Sequence, residues 1–436
     1  MTKARTDGLY LLLIGSSVIL LLLAFLLSTH SPIPMGDFKS SYYSARCLLQ
    51  HVDPYRENEV LRIYQLEGGD AFRSALDRVT TTRYVYPPTT FAFTIPFAIF
   101  PWGLARILWM TLTVGGLIFA SILAWSLGAE YAPILSGAMI GYILANSEIL
   151  LVLGNPSGIV ISLSVIAVWC FLRRRFTAAG IVSLAIGLAV KPQDAGFVWL
   201  YFFLAAGVYR RRALQTLFVA AAISLPAIIW VWQVAPNWVQ ELHANVSAFA
   251  VHGGLNDPGP ASPHANGLVD LQVAISLFRD DPRVYNIVSY LICTPILLMW
   301  AFLTVRYPSS TERTWLALAV IAPLTMLPVH HHLYDTKLLL LTVPACALLQ
   351  TGNRSIAQLA LFMNATVFVA TGDVSWTVFY HFIDKLHPAA LGLPQWILPA
   401  LQALPVPLLL LAMSVFYLWI YAARSSAQSA TPPLPG

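Results

Sequence analysis

An all-α protein that crosses a membrane many times is the fold class this sequence predicts, and three observations predict it. Hydrophobic residues fill 58% of the 436 positions and charged residues only 10%, with a mean hydropathy of +0.69, more apolar surface than a soluble chain of this length needs. Apolar runs of roughly 20 residues, the length that spans a hydrocarbon core, recur along the chain. Between them the arginines stand in short groups, a pattern that reads as topology and not as a polyanion-binding surface. The net charge of +5 therefore does not imply a nucleic-acid partner.

Taken in order, the first run, Gly8 to Ser28, follows Lys3 and Arg5 and is expected to be a retained helix, because Thr29 to Pro34 carries no small-residue cleavage pattern. Ser31-Pro32-Ile33-Pro34 should stop it, since neither proline continues a helical ladder. Further spans are expected over Leu104 to Leu127, Tyr131 to Leu153, Ser157 to Leu172, Ala178 to Val190, Ala195 to Val208, Ala213 to Val231 and Val284 to Val305. The series continues with Trp315 to Leu327, Leu338 to Leu349, Ile356 to Ala370 and Ile397 to Ala422. Thr89 to Phe100 is short and closed by Pro101-Trp102-Gly103, so it is either re-entrant or interfacial, or a short true span with Tyr131 to Leu153 failing to cross.

Lys3 with Arg5, Arg173 to Arg175, Arg210 to Arg212, Arg306 with Arg313, Arg354 and Arg424 belong on the cytoplasmic side by the positive-inside rule. The resulting parity predicts about twelve spans in one membrane domain over residues 1–426, with both termini cytoplasmic and a disordered Ser/Ala/Pro-rich tail over 427–436. It also gathers five polar segments on the extracytoplasmic face: the first loop (29–88), Gly154 to Ser157, Lys191 to Asp194, the large loop (233–283) and His330 to Asp335. The four cysteines are scattered, which argues against a disulfide framework or a zinc site.

In the first loop, Phe38, Tyr42, Ala45 and Leu49 recur at helical spacing opposite Lys39, Tyr43, Arg46 and Gln50, the pattern of a helix lying along the membrane interface. Asp37 stands at its start, either as a helix cap or as a functional carboxylate. Lys191 is either a snorkelling cation or a binding residue, and Arg83 pairs either with a lipid phosphate or with Asp77. The adjacent histidines His330, His331 and His332 do not share a helix face, but His331 and Asp335, four apart, do. No further ligand accompanies that pair at metal spacing, so a hydrogen-bonded His/Asp pair is expected and neither a metal nor a cofactor is called for. The large loop, with His243, His252, Asn256, Asp257, His264, Asn266 and Asp270, is either a mobile cover over a polar ligand or a solvated connector.

Asp37-Phe38, Tyr42-Tyr43, Ala45, Leu48-Leu49, Asp53-Pro54-Tyr55, Tyr84 and Tyr86-Pro87-Pro88 together resemble the opening of glycosyltransferase family 87, integral membrane enzymes of the GT-C superfamily. Gly154-Asn155-Pro156-Ser157, Lys191-Pro192, and Pro328 with His331, Tyr334 and Asp335 follow in the family's order, while Pro192-Gln193 and the triple histidine depart from its pattern. What the resemblance implies is transfer of a hexose, mannose in the best-known members, from a polyprenyl-phosphate sugar to a hydroxyl of a lipid or glycan acceptor, with inversion and with Asp37 as base. The departing phosphate needs charge compensation, for which Lys191, His331 and, ranked lower, Arg83 are the candidates, and Tyr42, Tyr55, Tyr86, Asn155, Gln193, Tyr334 and Asp335 are the candidate substrate contacts. The resemblance also implies a multi-pass protein of the cell membrane with its site outside.

The chemistry agrees on its own terms: transfer to a hydroxyl needs a base for the acceptor's proton and positive charge for the departing phosphate. A nucleotide-sugar enzyme would show an Asp-x-Asp motif or a Gly-rich phosphate loop, and the sequence has neither. A secondary transporter, which would predict related halves with broken helices and midplane charges, is the competing class. A non-catalytic lipid- or glycan-handling protein is the third.

Overall fold

In the computed structural model the described residues are 2–28, 35–260, 262, 264–385, 400, 401 and 403–429. Among them the chain is helical throughout, with an isolated bridge between Leu268 and His332 as its β-type pairing. Five helices are long and apolar enough to cross a membrane: α1 (Lys3–Ser28), α6 (Trp102–Gly128), α12 (Gly207–Val234), α15 (Pro282–Arg306) and the last helix, α20 (Pro405–Ser429), over Pro405–Ser425. α18 (Arg354–Ala370) and the start of α19 (Asp373–Lys385), over Asp373–Phe379, form a pair bent by 68° at its break, which counts as a sixth if taken as one broken span and is otherwise a re-entrant loop.

Several of the expected spans are helices too short to cross a bilayer alone. The expected crossing at Tyr131 to Leu153 breaks at Asn146-Ser147 into α7 (Pro133–Ala145) and α8 (Glu148–Leu153). α9 (Ser157–Arg173), α10 (Thr177–Val190) and α11 (Pro192–Leu204) are all short, as is α16 (Thr311–Thr325). Leu338 to Leu349 falls in a 3-10 helix (Leu333–Thr342) followed by α17 (Val343–Leu349). These short elements work because they are packed inside the bundle: every residue of α16 from Arg313 to Thr325 is buried, as is the whole 3-10 segment. A helix apolar on all sides belongs at the centre of its bundle. The proline stop at 31–34 lies outside the described residues. At the other end α20 runs on to Ser429, through the first residues of the expected tail.

α1 packs against α7 along glycines. A Cβ at Gly137 would fall 1.9 Å from the Gly8 carbonyl oxygen and one at Gly15 2.3 Å from that of Gly141, so the two backbones meet with no side chain between them, as small-residue interfaces in membranes allow.

α2 (Gly36–Leu49) forms where the sequence places it, but not with one wet face. Lys39, Ser40, Ser41, Tyr43 and Ser44 are buried together with Phe38 and Tyr42, and of the expected polar face Gln50 alone is exposed. Its surroundings explain this: Phe38 stacks on Trp109 and Trp102, the Tyr42 hydroxyl donates to the Phe100 carbonyl (2.8 Å), and Arg46 pairs with Glu67 (2.5 Å). α3 (Glu57–Leu66), α4 (Ala75–Thr82) and α5 (Phe91–Ala98) supply the cover. At eight residues, with Pro96 inside it, α5 is too short to cross a bilayer.

Candidate active site

A cavity of about 720 Å³ opens beside the N-terminal end of α2, within the size range of small-molecule pockets. Its wall takes residues from all five polar segments: Asp37, Lys39 and Tyr86 from the first loop, Asn155, Lys191 and Gln193, Phe249 and Asn256 from the large loop, and His330, His332, Tyr334 and Asp335. The convergence expected from topology is thus present in the fold.

Local structure explains each placement. Gly154 ends α8 with φ +63°, a left-handed conformation open to glycine at little cost, and its carbonyl is held by Trp109 Nε1 (2.9 Å). Asn155 then turns its amide two ways. Its Oδ1 accepts from the Ser157 backbone N–H (2.9 Å) at the start of α9, while Nδ2 donates to Asp37 Oδ2 (2.6 Å) and reaches the Tyr86 hydroxyl (3.3 Å). Asp37 does not cap α2, which begins from Met35 without a side-chain cap. Burial pushes the Asp37 carboxyl up to about 6, against the opposing pull of the Asn155 hydrogen bond and the Lys191 charge. Its other oxygen has no hydrogen-bond partner among the described residues.

Pro192 sets the position of Lys191. A residue before proline is driven out of the helical region, so α10 ends at Val190 and Lys191 takes φ −146°, ψ 82°. Thr89 and Thr90 donate to the carbonyls of Ala189 and Val190 (2.6 and 3.1 Å) that this break leaves without helical partners. The buried ammonium of Lys191 then meets Asp335 Oδ1 and Ser157 Oγ, both at 2.5 Å, and Asp194 Oδ2 at 3.2 Å. Ser157 Oγ lies 2.6 Å from Asp335 Oδ1 and 2.7 Å from Asn155 Oδ1. A hydrogen-bonded chain therefore runs from Asp37 through Asn155 and Ser157 to Asp335 and Lys191.

His331 pairs with Asp194 and not, as its spacing suggested, with Asp335. Its Nε2 lies 3.3 Å from Asp194 Oδ1, while Asp335 is taken by Lys191 and by the His332 backbone N–H (2.9 Å). Burial disfavours the imidazolium, but the Asp194 and Asp335 carboxylates more than offset this and lift the His331 pKa above its ordinary value. His332 is pushed down to about 4 and His330 well below its ordinary value, both chiefly by burial, so the two imidazoles that line the cavity are neutral at pH 7. They contact each other through their Nε2 atoms (3.1 Å).

A family model for glycosyltransferase family 87 matches residues 84–329, more than half of the 436-residue chain. The chain belongs to glycosyltransferase family 87. No curated protein and no solved structure matches it. With its long apolar helices, this family 87 member is a multi-pass membrane glycosyltransferase. Asn155, Lys191 and Gln193 fall inside the matched segment, while Asp37 and Lys39 precede it and Tyr334 and Asp335 follow it.

Several expected site residues stand elsewhere in the transferase. Arg83 is off the cavity wall, its guanidinium paired with Glu57 (2.9 Å), a carboxylate shared with Arg78. Tyr42 and Tyr55 are wall supports, Tyr55 donating to the Tyr86 carbonyl (3.0 Å). His331 is buried behind the wall that His330 and His332 form. Lys191 does line the cavity, with its ammonium in contact with Asp194 and Asp335.

Asp194, Ser157 and Lys39 are the residues that sequence reasoning passed over. Asp194 also supplies the third ligand whose absence argued against a metal: ligand atoms of Asp194, His331 and Asp335 lie within 4.8 Å of one another. The positive charge these carboxylates face here is the Lys191 ammonium. Val246, Phe249, Leu255 and Asn256 of the large loop form part of the wall. The loop's helix α13 (Trp238–Phe249) is fixed by Asn245, which donates to the carbonyls of Tyr55 and Tyr84 (2.9 and 3.1 Å).

Proposed function

We propose that this transferase moves a hexose, with mannose the first candidate, from a polyprenyl-phosphate sugar to a hydroxyl of a lipid or glycan acceptor, with inversion at the anomeric carbon. Asp37 takes the acceptor's proton as the acceptor oxygen forms its bond to the anomeric carbon. The bond to the phosphate oxygen breaks with its electron pair, and polyprenyl phosphate leaves as an anion that needs charge compensation and no proton. Asp37 then returns the proton to water. The fold that accompanies this reading is a GT-C arrangement with α2 along the membrane surface and the cavity on the extracytoplasmic face of the cell membrane.

One observation carries the proposal: Asp37 is a carboxylate on the cavity wall whose one oxygen is held by Asn155, whose other has no partner among the described residues, none of which bonds a cation to it, and whose pKa is raised to about 6. A base is most effective with a pKa near the working pH. The paired carboxylates Asp194 and Asp335 lack that freedom.

The test is turnover of purified protein in lipid nanodiscs with radiolabelled polyprenyl-phosphate sugars, comparing wild type with Asp37→Asn. Asn can still accept the Asn155 hydrogen bond but cannot take the proton, so turnover should fall by roughly 10²-fold or more while donor binding persists. Near-normal transfer by the variant would remove Asp37 from the base role.

A further inference from the structure

The reaction needs positive charge at the departing phosphate, and three basic side chains line the cavity: Lys39, Arg73 and Lys191. The Lys191 cluster is already balanced, one ammonium facing Asp194 and Asp335 in contact. Lys39 differs. Its residue is 9% exposed, yet among the described residues its ammonium makes no hydrogen bond and no ion pair. Asp77 and Asp70 act on it only at longer range, and Arg73 opposes them. The side chain is mostly buried while its ammonium opens on the cavity, so it stands in a poorly solvated place, which favours an anionic ligand beside it.

We propose that Lys39 is the cation that binds the donor's phosphate, and that Lys191 organises the carboxylate cluster linked to Asp37 through Asn155 and Ser157. The inference rests on the transferase reading above. The donor is favoured over an acceptor phosphate because the departing phosphate is the group that gains charge during reaction and so needs the uncommitted cation. Placement agrees: Asp37 and Lys39 both line the cavity, Asp37 beside Asn155 and within reach of the Lys191 charge, Lys39 toward Asp70, Arg73 and Asp77, so a donor lying along the wall would meet the two groups at different points. Burial lowers the Lys39 pKa from its ordinary value, and a bound phosphate would restore the charged form.

The experiment measures binding of tritiated polyprenyl monophosphate, polyprenol of the same length, and phosphatidylinositol to the full chain in zwitterionic nanodiscs. Wild type should prefer the monophosphate over the alcohol by about tenfold or more, the range expected for a charge-assisted contact. Lys39→Gln and Lys39→Met should erase that preference, and Lys39→Arg should keep part of it. Melting temperature supplies a control that a structural lysine would fail: with no partner to strand, Lys39→Met should melt at or above the wild-type temperature. Three results overturn the assignment. A phosphate preference that survives in Lys39→Gln refutes Lys39 while leaving the transferase reading intact. Loss of phosphatidylinositol binding alone would assign the residue to an acceptor. A lower melting temperature in Lys39→Met would make it structural. If wild type itself shows no preference for the monophosphate, the lipid-phosphate donor fails first.

Discussion

Two stretches of the cavity wall, the cluster around Lys191 and the start of α2, are built from the same kinds of residue and differ in how their charges are paired. Around Lys191, every charge faces an opposite charge in contact: the ammonium touches Asp335 and Asp194, and Asp194 in turn faces His331. Along α2, Asp37 and Lys39 stand two residues apart and neither makes an ion pair among the described residues. The first arrangement holds the polypeptide, tying α9, α11 and the 3-10 helix to one point. The second leaves a carboxylate and an ammonium without an ion partner among the described residues. On the proposed reading, the contrast teaches that unpaired charge, and not charge density, marks the reactive part of this cavity.

The comparison can be broken most directly at Lys191. Lys191→Met leaves Asp194 and Asp335 buried without their cation, and breaking a buried pair from one side costs about 3–5 kcal/mol. Thermal unfolding in nanodiscs should register this, and adding Asp335→Asn to the same variant should recover part of the loss. Unchanged stability with weakened donor binding would exchange the roles assigned to the two lysines.

Gly154→Ala tests the join between the two stretches at a smaller scale. The residue sits at φ +63°, and a Cβ there would lie 2.9 Å from Met35 Cε and 3.0 Å from Phe38 Cβ. Left-handed strain alone costs about 1–3 kcal/mol, and the push on Phe38 displaces Asp37 beside it. Turnover should fall together with melting temperature. A variant that melts normally and transfers normally would show that the Asn155 turn does not position the base.

A milder probe is pH. The Asp37 base form is lost as pH falls through about 6, so kcat/KM should be flat above that value and drop about tenfold per unit well below it. In Asn155→Ala the carboxylate loses a bond that favours its charged form, so the acid limb should move to higher pH. An acid limb that stays in place would separate Asn155 from the titrating group. The smallest effect is expected from chelation. With Lys191 as the cation between the carboxylates, transfer should continue in excess EDTA, and loss of activity restored by a divalent ion would make Asp194, His331 and Asp335 a metal site.

What the sequence determined by itself was the class of the molecule and the places where its polar groups gather. Apolar composition leaves no alternative to a membrane-embedded helical bundle, and proline and glycine mark the breaks at 154 and 192 because they act through the backbone of their own neighbourhood. The helix after Asp37 was legible from its 3.6-residue period for the same reason. Its burial was not, because a polar face becomes an inner face when α3, α4 and α5 fold over it, and those contacts lie far apart in the chain. The pairing of charges was decided by tertiary structure alone. His331 sits four residues from Asp335, yet it faces Asp194, 137 positions away, because Lys191, extended by the proline after it, reaches Asp335 first. Which buried charge is satisfied and which is left free depends on distances of a few ångströms between distant segments, and no local pattern carries that information.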